Sequence, residues 1–224
     1  MKENTKPMKI WFLWVLATTA GWITARYVGF ALWNVVLTSW TQVAAPVFVL
    51  AWNGLLLGSV VGLLQWFVLR IWKQEKGWWV LATIASYGLG SPLALLLILA
   101  LDVTLARVNH LPLFITGSSI SLSMPLPLTM ILTGALVAIG QWLVLRQFIP
   151  ASKTKEAALW VFGTAFAWGI ALWADAYVIG IGFSLLEQNA VAGGIIGIVT
   201  GATLTLLLSQ TSQPARLEST PALN

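Results

Sequence analysis

Catalysis needs a nucleophile with a base, a metal cluster or paired carboxylates, and this chain supplies one histidine, no cysteine and seven acids. Four of those acids, Glu3, Glu75, Glu156 and Glu218, fall in tails or connections between apolar stretches. His110, Ser118 and Ser119 have the residue types of a serine-hydrolase fragment, yet neither a nucleophile turn nor a third member accompanies them. A lone histidine is too little for a zinc centre or for a haem held by two histidines. No catalytic residue and no metal ligand set is therefore expected, and the reading is a protein that is not an enzyme. No cofactor is assigned. Fourteen Trp and nine Phe would suit apolar contact with a carotenoid or another pigment, and equally suit interfacial belts and packing.

The remaining chemistry lies in charge within apolar segments. Arg26 and Asp175 are the charged residues placed inside spans. Counted from the starts of their segments they sit roughly 24 and 27 Å along, and Asn53, counted back along an antiparallel segment, falls at about 25 Å. Charge inside a bilayer faces protein or water and finds a partner. Arg26, Asn53 and Asp175 are thus a candidate buried polar cluster, with an Arg26–Asp175 pair expected and separate snorkelling to headgroups as the competing reading.

The elements that hold these residues follow from composition. Of 224 residues 58% are hydrophobic and 8% charged, with a mean hydropathy of +0.86, against about 25% charged in a soluble domain. Soluble enzymes and nucleic-acid binders are excluded, and most of the surface must face lipid. Six stretches reach the roughly 20 apolar residues that cross a bilayer: Ile10 to Leu37, Pro46 to Arg70, Trp78 to Leu101, Pro125 to Arg146, Ala157 to Phe183 and Ala190 to Leu208. Continuous apolar runs such as Leu93 to Leu101 exclude the alternating strands of a barrel. The expectation is an all-α membrane protein with six transmembrane helices. A basic segment, 1–9, precedes the membrane domain, 10–208, and a polar tail, 209–224, is expected to be disordered.

Lys2, Lys6 and Lys9 precede the first span, Arg70, Lys73 and Lys76 follow the second, and Arg146, Lys153 and Lys155 follow the fourth. By the positive-inside rule those ends and both termini are cytoplasmic, in a plasma or thylakoid membrane. The opposite connections are Thr38 to Ala45, Asp102 to Met124 and Ser184 to Asn189. The second, the longest, is expected to lie in the interface as a connector or a docking surface. The start resembles a secretory signal, with Ala17 to Ala20 as a cleavage site, but the apolar run continues to Tyr27 and Val28, so cleavage is not expected.

The spans repeat. Trp14-Val15-Leu16-Ala17-Thr18, Trp79-Val80-Leu81-Ala82-Thr83 and Trp160-Val161-Phe162-Gly163-Thr164 open the odd-numbered spans. Gln65-Trp66-Phe67-Val68-Leu69-Arg70 and Gln141-Trp142-Leu143-Val144-Leu145-Arg146 close spans two and four. Small residues precede these ends, Gly54, Gly58 and Gly62 in span two, Gly134 and Ala138 in span four, and Gly193, Gly197 and Gly201 align with them in span six. Span six has Leu204, Thr205 and Ser209 where Gln, Trp and Arg stood. Three helical hairpins, about 10–70, 78–146 and 157–208, are expected in a pseudo-threefold arrangement, by analogy with parallel repeats in transporters. Small residues every four positions let backbones approach, which makes spans two, four and six the candidate inner, close-packed helices.

Trp66 and Arg70, like Trp142 and Arg146, are four residues apart and share a helix face. With Gln65 and Gln141 they form a candidate lipid or partner face at the cytoplasmic interface. The bland alternative is an anchor, with each glutamine turned inward to bond another helix.

These helix ends and starts resemble a family of uncharacterised multi-pass membrane proteins of cyanobacteria and other photosynthetic or filamentous bacteria. The resemblance covers most of 10–208 and implies a membrane location; it carries over no activity and no catalytic or binding residue. Span count and size also resemble, more weakly, the substrate-binding subunits of energy-coupling-factor vitamin transporters. Two functions are thus open. One is an accessory, assembly or lipid-associated subunit whose expected partners are membrane lipids and another membrane protein. The other is a small-solute binding or transport component with a pocket near the outer face.

Overall fold

The computed structural model describes residues 5–36, 45–73, 77–109, 125–147 and 154–209. His110, Ser118, Ser119 and the tail from 210 lie outside the described residues, as do the termini expected to be cytoplasmic. Six α-helices follow one another: α1 (Thr5–Val36), α2 (Ala45–Lys73), α3 (Trp78–Asn109), α4 (Pro125–Leu145), α5 (Thr154–Gly180) and α6 (Leu185–Ser209). No strand occurs among the described residues. Each helix contains a stretch long and apolar enough to cross a bilayer, the architecture of a multi-pass integral membrane protein.

Besides shifts of a few residues at the ends of α1 and α5, which begin at Thr5 and Thr154 rather than Ile10 and Ala157, two boundaries differ from the sequence reading. Helix α3 runs to Asn109 rather than stopping at Leu101, because 102–109 contains neither Gly nor Pro to break it; within this stretch Thr104 Oγ1 donates back to the Ala100 carbonyl at 2.7 Å. Pro92, inside α3, removes one N–H from the ladder without ending the helix, which membrane helices tolerate when neighbours cover the freed carbonyl. Helix α6 begins at Leu185, so most of the expected connection Ser184 to Asn189 is its first turn.

The cause of the second difference is local. Phe183 N–H bonds the Val178 carbonyl at 3.2 Å and Gly182 N–H bonds that of Ile179 at 3.1 Å. With Gly182 at φ +82°, this is a Schellman exit, where a left-handed residue costs glycine least. Ser184 then caps α6. Its N–H and Oγ both donate to Glu187 Oε2, at 2.8 and 2.7 Å, and the Glu187 N–H points back at Ser184 Oγ. This reciprocal Ser-x-x-Glu box is a helix start.

The helices form a ring. Each packs on its neighbours in chain order, and α6 packs on α1 to close the circle. No backbone approach joins α2, α4 and α6 to one another among the described residues, which corrects the expectation of an inner trio of even-numbered helices. Their small residues instead meet the odd helix of the following hairpin. A Cβ on Gly58 would lie 2.8 Å from Ile84 Cα, one on Gly54 would clash with the Tyr87 carbonyl, and one on Gly197 would lie 3.0 Å from Val15 Cα. Gly134 faces Trp168 and Gly193 faces Trp22 in the same manner. Gly62 lies against Thr83, Gly201 against Trp11 and Trp14, and Ala138 is buried in the core.

Side chains of the odd helices fill the centre. Trp14, Trp79 and Trp160 are wholly buried, and so are Thr18 and Thr83, with Thr164 nearly so. Outward, Phe12, Leu16, Phe67, Leu97, Phe162 and Phe166 are exposed, an apolar exterior suited to lipid chains.

Candidate functional site

Three tiers of side chains rise through the ring from the α1 N-terminal end, spaced by one helical turn. The lowest is aromatic: Trp14 meets Trp79 edge to face at 5.5 Å, and Trp79 meets Trp160 at 6.2 Å. One turn on come Thr18, Thr83 and Thr164, and one further Trp22, Tyr87 and Trp168, again buried and again in ring contact, with centroids 5.2 and 5.5 Å from Trp168. Trp22, Tyr87 and Trp168 went unread in the sequence, although they continue the repeated Trp-x-x-x-Thr spacing by four more residues.

Glutamines stitch these tiers together. Gln65 Nε2 donates to Thr18 Oγ1 at 3.0 Å, and Gln65 Oε1 accepts the Trp79 indole N–H at 3.2 Å. Gln141 Nε2 donates to Thr83 Oγ1 at 3.3 Å. Gln65 and Gln141 are both buried, so they leave the candidate lipid or partner face and belong to the interior. In α6, where Leu204 stands in place of glutamine, Thr200 Oγ1 takes the Trp14 N–H at 3.0 Å. Nothing in α6 takes up Thr164, whose Oγ1 is buried without a partner, and the indole N–H of Trp160, which corresponds to the Trp79 group held by Gln65, is likewise buried without one.

Arg70 is exposed and Trp66 half-buried against the lower core, the guanidinium carbon 5.1 Å from the Trp66 ring centroid, a cation–π pair one helical turn apart. Trp142 is half-buried against the lower core and Arg146 is exposed. Between α3 and α4 lies an outward groove of about 590 Å³, largely apolar along Leu89, Leu93 and Leu136, with Trp78, Arg146 and Gln147 at one end.

At the opposite end of the ring the tiers give way to charge. Twelve residues beyond Trp14, Trp79 and Trp160 stand Arg26, Ser91 and Leu172, and fifteen beyond stand Gly29, Ala94 and Asp175. A charge thus stands at only one of the three positions at each spacing, Arg26 on α1 and Asp175 on α5. The ring brings them together. Arg26, Asn53 and Asp175 line one cavity of about 290 Å³, with Gln188 and Asn189 of α6 beside them and Phe30 and Leu185 on its apolar side. Four consecutive helices of the ring, α2, α1, α6 and α5, supply it.

Each polar group is positioned by its element. The Arg26 guanidinium sits 6.0 Å from the Trp22 ring centroid, one turn below on α1. Asn53 faces α1 across Gly29, where a Cβ would lie 3.0 Å from Asn53 Oδ1. Asn189 is buried and gives its amide N–H to the Leu185 carbonyl at 2.7 Å, and Gln188 gives its own to the Phe183 carbonyl at 2.8 Å, so the oxygens of both amides are left for the cavity. Asp175 is half-buried and within electrostatic range of Arg26. No direct ion pair joins these two among the described residues. Below them a smaller cavity of about 30 Å³ shares Arg26, Asp175 and Asn189 and is walled by Trp22 and Trp168, whose buried indole N–H groups have no partner.

Sequence reasoning named Arg26, Asn53 and Asp175 as a buried cluster; the structure groups them around one cavity but leaves Arg26 exposed and Asn53 and Asp175 half-buried, because the cavity opens at the end of the ring. Gln188 and Asn189 were missed. The signal for the last two was the Gly182 turn and the Ser184–Glu187 box, which place them on the first turn of a helix rather than in a loop.

Compared with family models, curated proteins and solved structures, the chain matches none.

Proposed function

We propose that this chain is a non-enzymatic integral membrane protein that binds a small polar solute at the non-cytoplasmic end of its helix ring. The observation that carries the reading is the meeting of Arg26, Asn53 and Asp175, from three separate helices, around one cavity. A purely structural pair would bury its charges against each other, because a charge within a span costs a few kcal/mol unless matched. Here the charges border open volume that also holds amide groups. Arg70 and Arg146 mark the opposite end of the bundle, which the positive-inside rule assigns to the cytoplasm. The cavity is at the lower limit of the roughly 300–1,000 Å³ typical of ligand pockets, which fits a small metabolite. Native mass spectrometry of the gently solubilised protein tests the reading. One enriched small molecule is expected, lost on Asp175→Asn at unchanged thermal stability. Failure of the native protein to retain any small molecule, together with failure to bind added solutes, overturns it.

The outward groove between α3 and α4 supports a second, compatible role in lipid association. Apolar walls that end at Arg146 and Gln147 match an acyl chain below an anionic headgroup.

A further inference from the structure

The charge arithmetic of the cavity narrows its ligand, on the assumption that the solute-binding reading above is right. We infer that the site takes a zwitterion: a molecule carrying a carboxylate and an ammonium group on a short frame, with a modest apolar tail, as in an α-amino acid with an aliphatic side chain.

The cavity is lined by one permanent cation and one carboxylate, Arg26 and Asp175, on helices separated by α6. A simple anion would be matched by Arg26 and repelled by Asp175, and a simple cation the reverse. Within a membrane-spanning bundle either leaves one charge uncompensated, which is the costly outcome. A dipolar ligand satisfies both at once. Its carboxylate suits Arg26, whose planar donors fit a carboxylate fork, and its ammonium suits Asp175 with the free amide oxygens of Gln188 and Asn189.

The surrounding residues bear out the polarity of this placement. Arg26 is supported on the Trp22 face, which fixes the cation while leaving its outer edge for a ligand. Phe30 and Leu185 form the apolar side of the same cavity, and nothing there would pair with a further charged group. A tail of a few carbons fits; a second carboxylate or ammonium does not.

Both charged positions break a repeat that is otherwise kept in the buried tiers. The equivalent residues are Ser91 and Leu172 for Arg26, and Gly29 and Ala94 for Asp175. Ring packing alone is thus served by small or apolar residues at these heights, so the charges answer to something other than assembly of the bundle.

A matched trio of probes tests the class on the full chain in detergent: L-leucine, 4-methylpentanoate, which lacks the amine, and 3-methylbutylammonium, which lacks the carboxylate. Glycine betaine serves as a second zwitterion of different shape. Binding is read as a change in tryptophan fluorescence, because Trp22 and Trp168 wall the small cavity below that shares Arg26, Asp175 and Asn189 with the site, and as a rise in thermal midpoint. At least one zwitterion should bind tenfold or more tightly than both single-charge probes. Arg26→Gln should remove its advantage over 3-methylbutylammonium, and Asp175→Asn its advantage over 4-methylpentanoate. A single-charge probe binding as well as the zwitterions overturns the class and leaves the solute-binding reading standing. So does a retained native molecule that is not a zwitterion. Absence of binding by all four probes, with nothing retained by the native protein, overturns both.

Discussion

Trp79 of the second hairpin donates its indole N–H to the carboxamide oxygen of Gln65 in the first, while the amide of the same glutamine donates to Thr18. One side chain thus joins three helices. Gln65→Leu would strand two buried polar groups, at about 1–3 kcal/mol each. Gln141, with one such bond, to Thr83, should matter less. Thermal unfolding in detergent should rank Gln65→Leu as the more damaging change, and equal losses would contradict the bridging role.

The third hairpin lacks this bridge, so its threonine can be given up. Thr164 Oγ1 is buried without a partner, and replacing a buried unpaired hydroxyl by a methyl of the same shape is neutral or favourable. Thr164→Val should leave the thermal midpoint unchanged or raise it, whereas Thr18→Val should lower stability by about 1 kcal/mol. A loss at Thr164 as large as that at Thr18 would show that the three hairpins are equally bonded.

Gly58→Leu should force α2 from α3, since even a Cβ there would lie 2.8 Å from Ile84 Cα. Overpacking of this kind costs about 1–3 kcal/mol or more. Gly180→Ala, with open space around it, serves as the control. Cysteines at Gly58 and Ile84 should cross-link, and cysteines at Gly58 and Gly134 should not; cross-linking of the second pair would restore an inner trio of even helices.

Single cysteines read the orientation. Ile181→Cys, in the exposed α5–α6 turn beside the cavity, should react with an impermeant reagent added outside intact cells, and Gln147→Cys at the other end should not. The inverse pattern would place the cavity on the cytoplasmic side.

Arg146→Gln should reduce co-purification of anionic phospholipid several-fold while leaving zwitterionic lipid unaffected, because the groove it ends is otherwise largely apolar. Quantitative lipid extraction from the purified variant checks this. An unchanged lipid profile would leave the groove as ordinary packing relief.

The helix count and the polar trio at one end were legible because charge, glutamine and glycine are rare enough in this composition to stand out. Inward and outward faces were not. In water an amphipathic stripe marks the buried side of a helix, but here both lipid and core are apolar, and Trp14 and Trp79 in the centre read the same as the exposed Trp78 and Trp173. Glycine spacing located close approaches without saying which helix came close. Only the partner's shape, such as Ile84 opposite Gly58, decides that.

Closure of the ring by α6 against α1 also sets a schedule for biogenesis. The indole of Trp14 finds its acceptor in Thr200, 186 residues later, and Arg26 meets Asp175 and Asn189 only when the last hairpin has been made. While the middle of the chain is being synthesised, the first helix waits in the membrane with an open flank and an unmatched cation. A translocon or insertase that shelters that flank would be needed until the sixth helix arrives, and truncations ahead of α6 should be marked for degradation even though five complete spans have entered the bilayer.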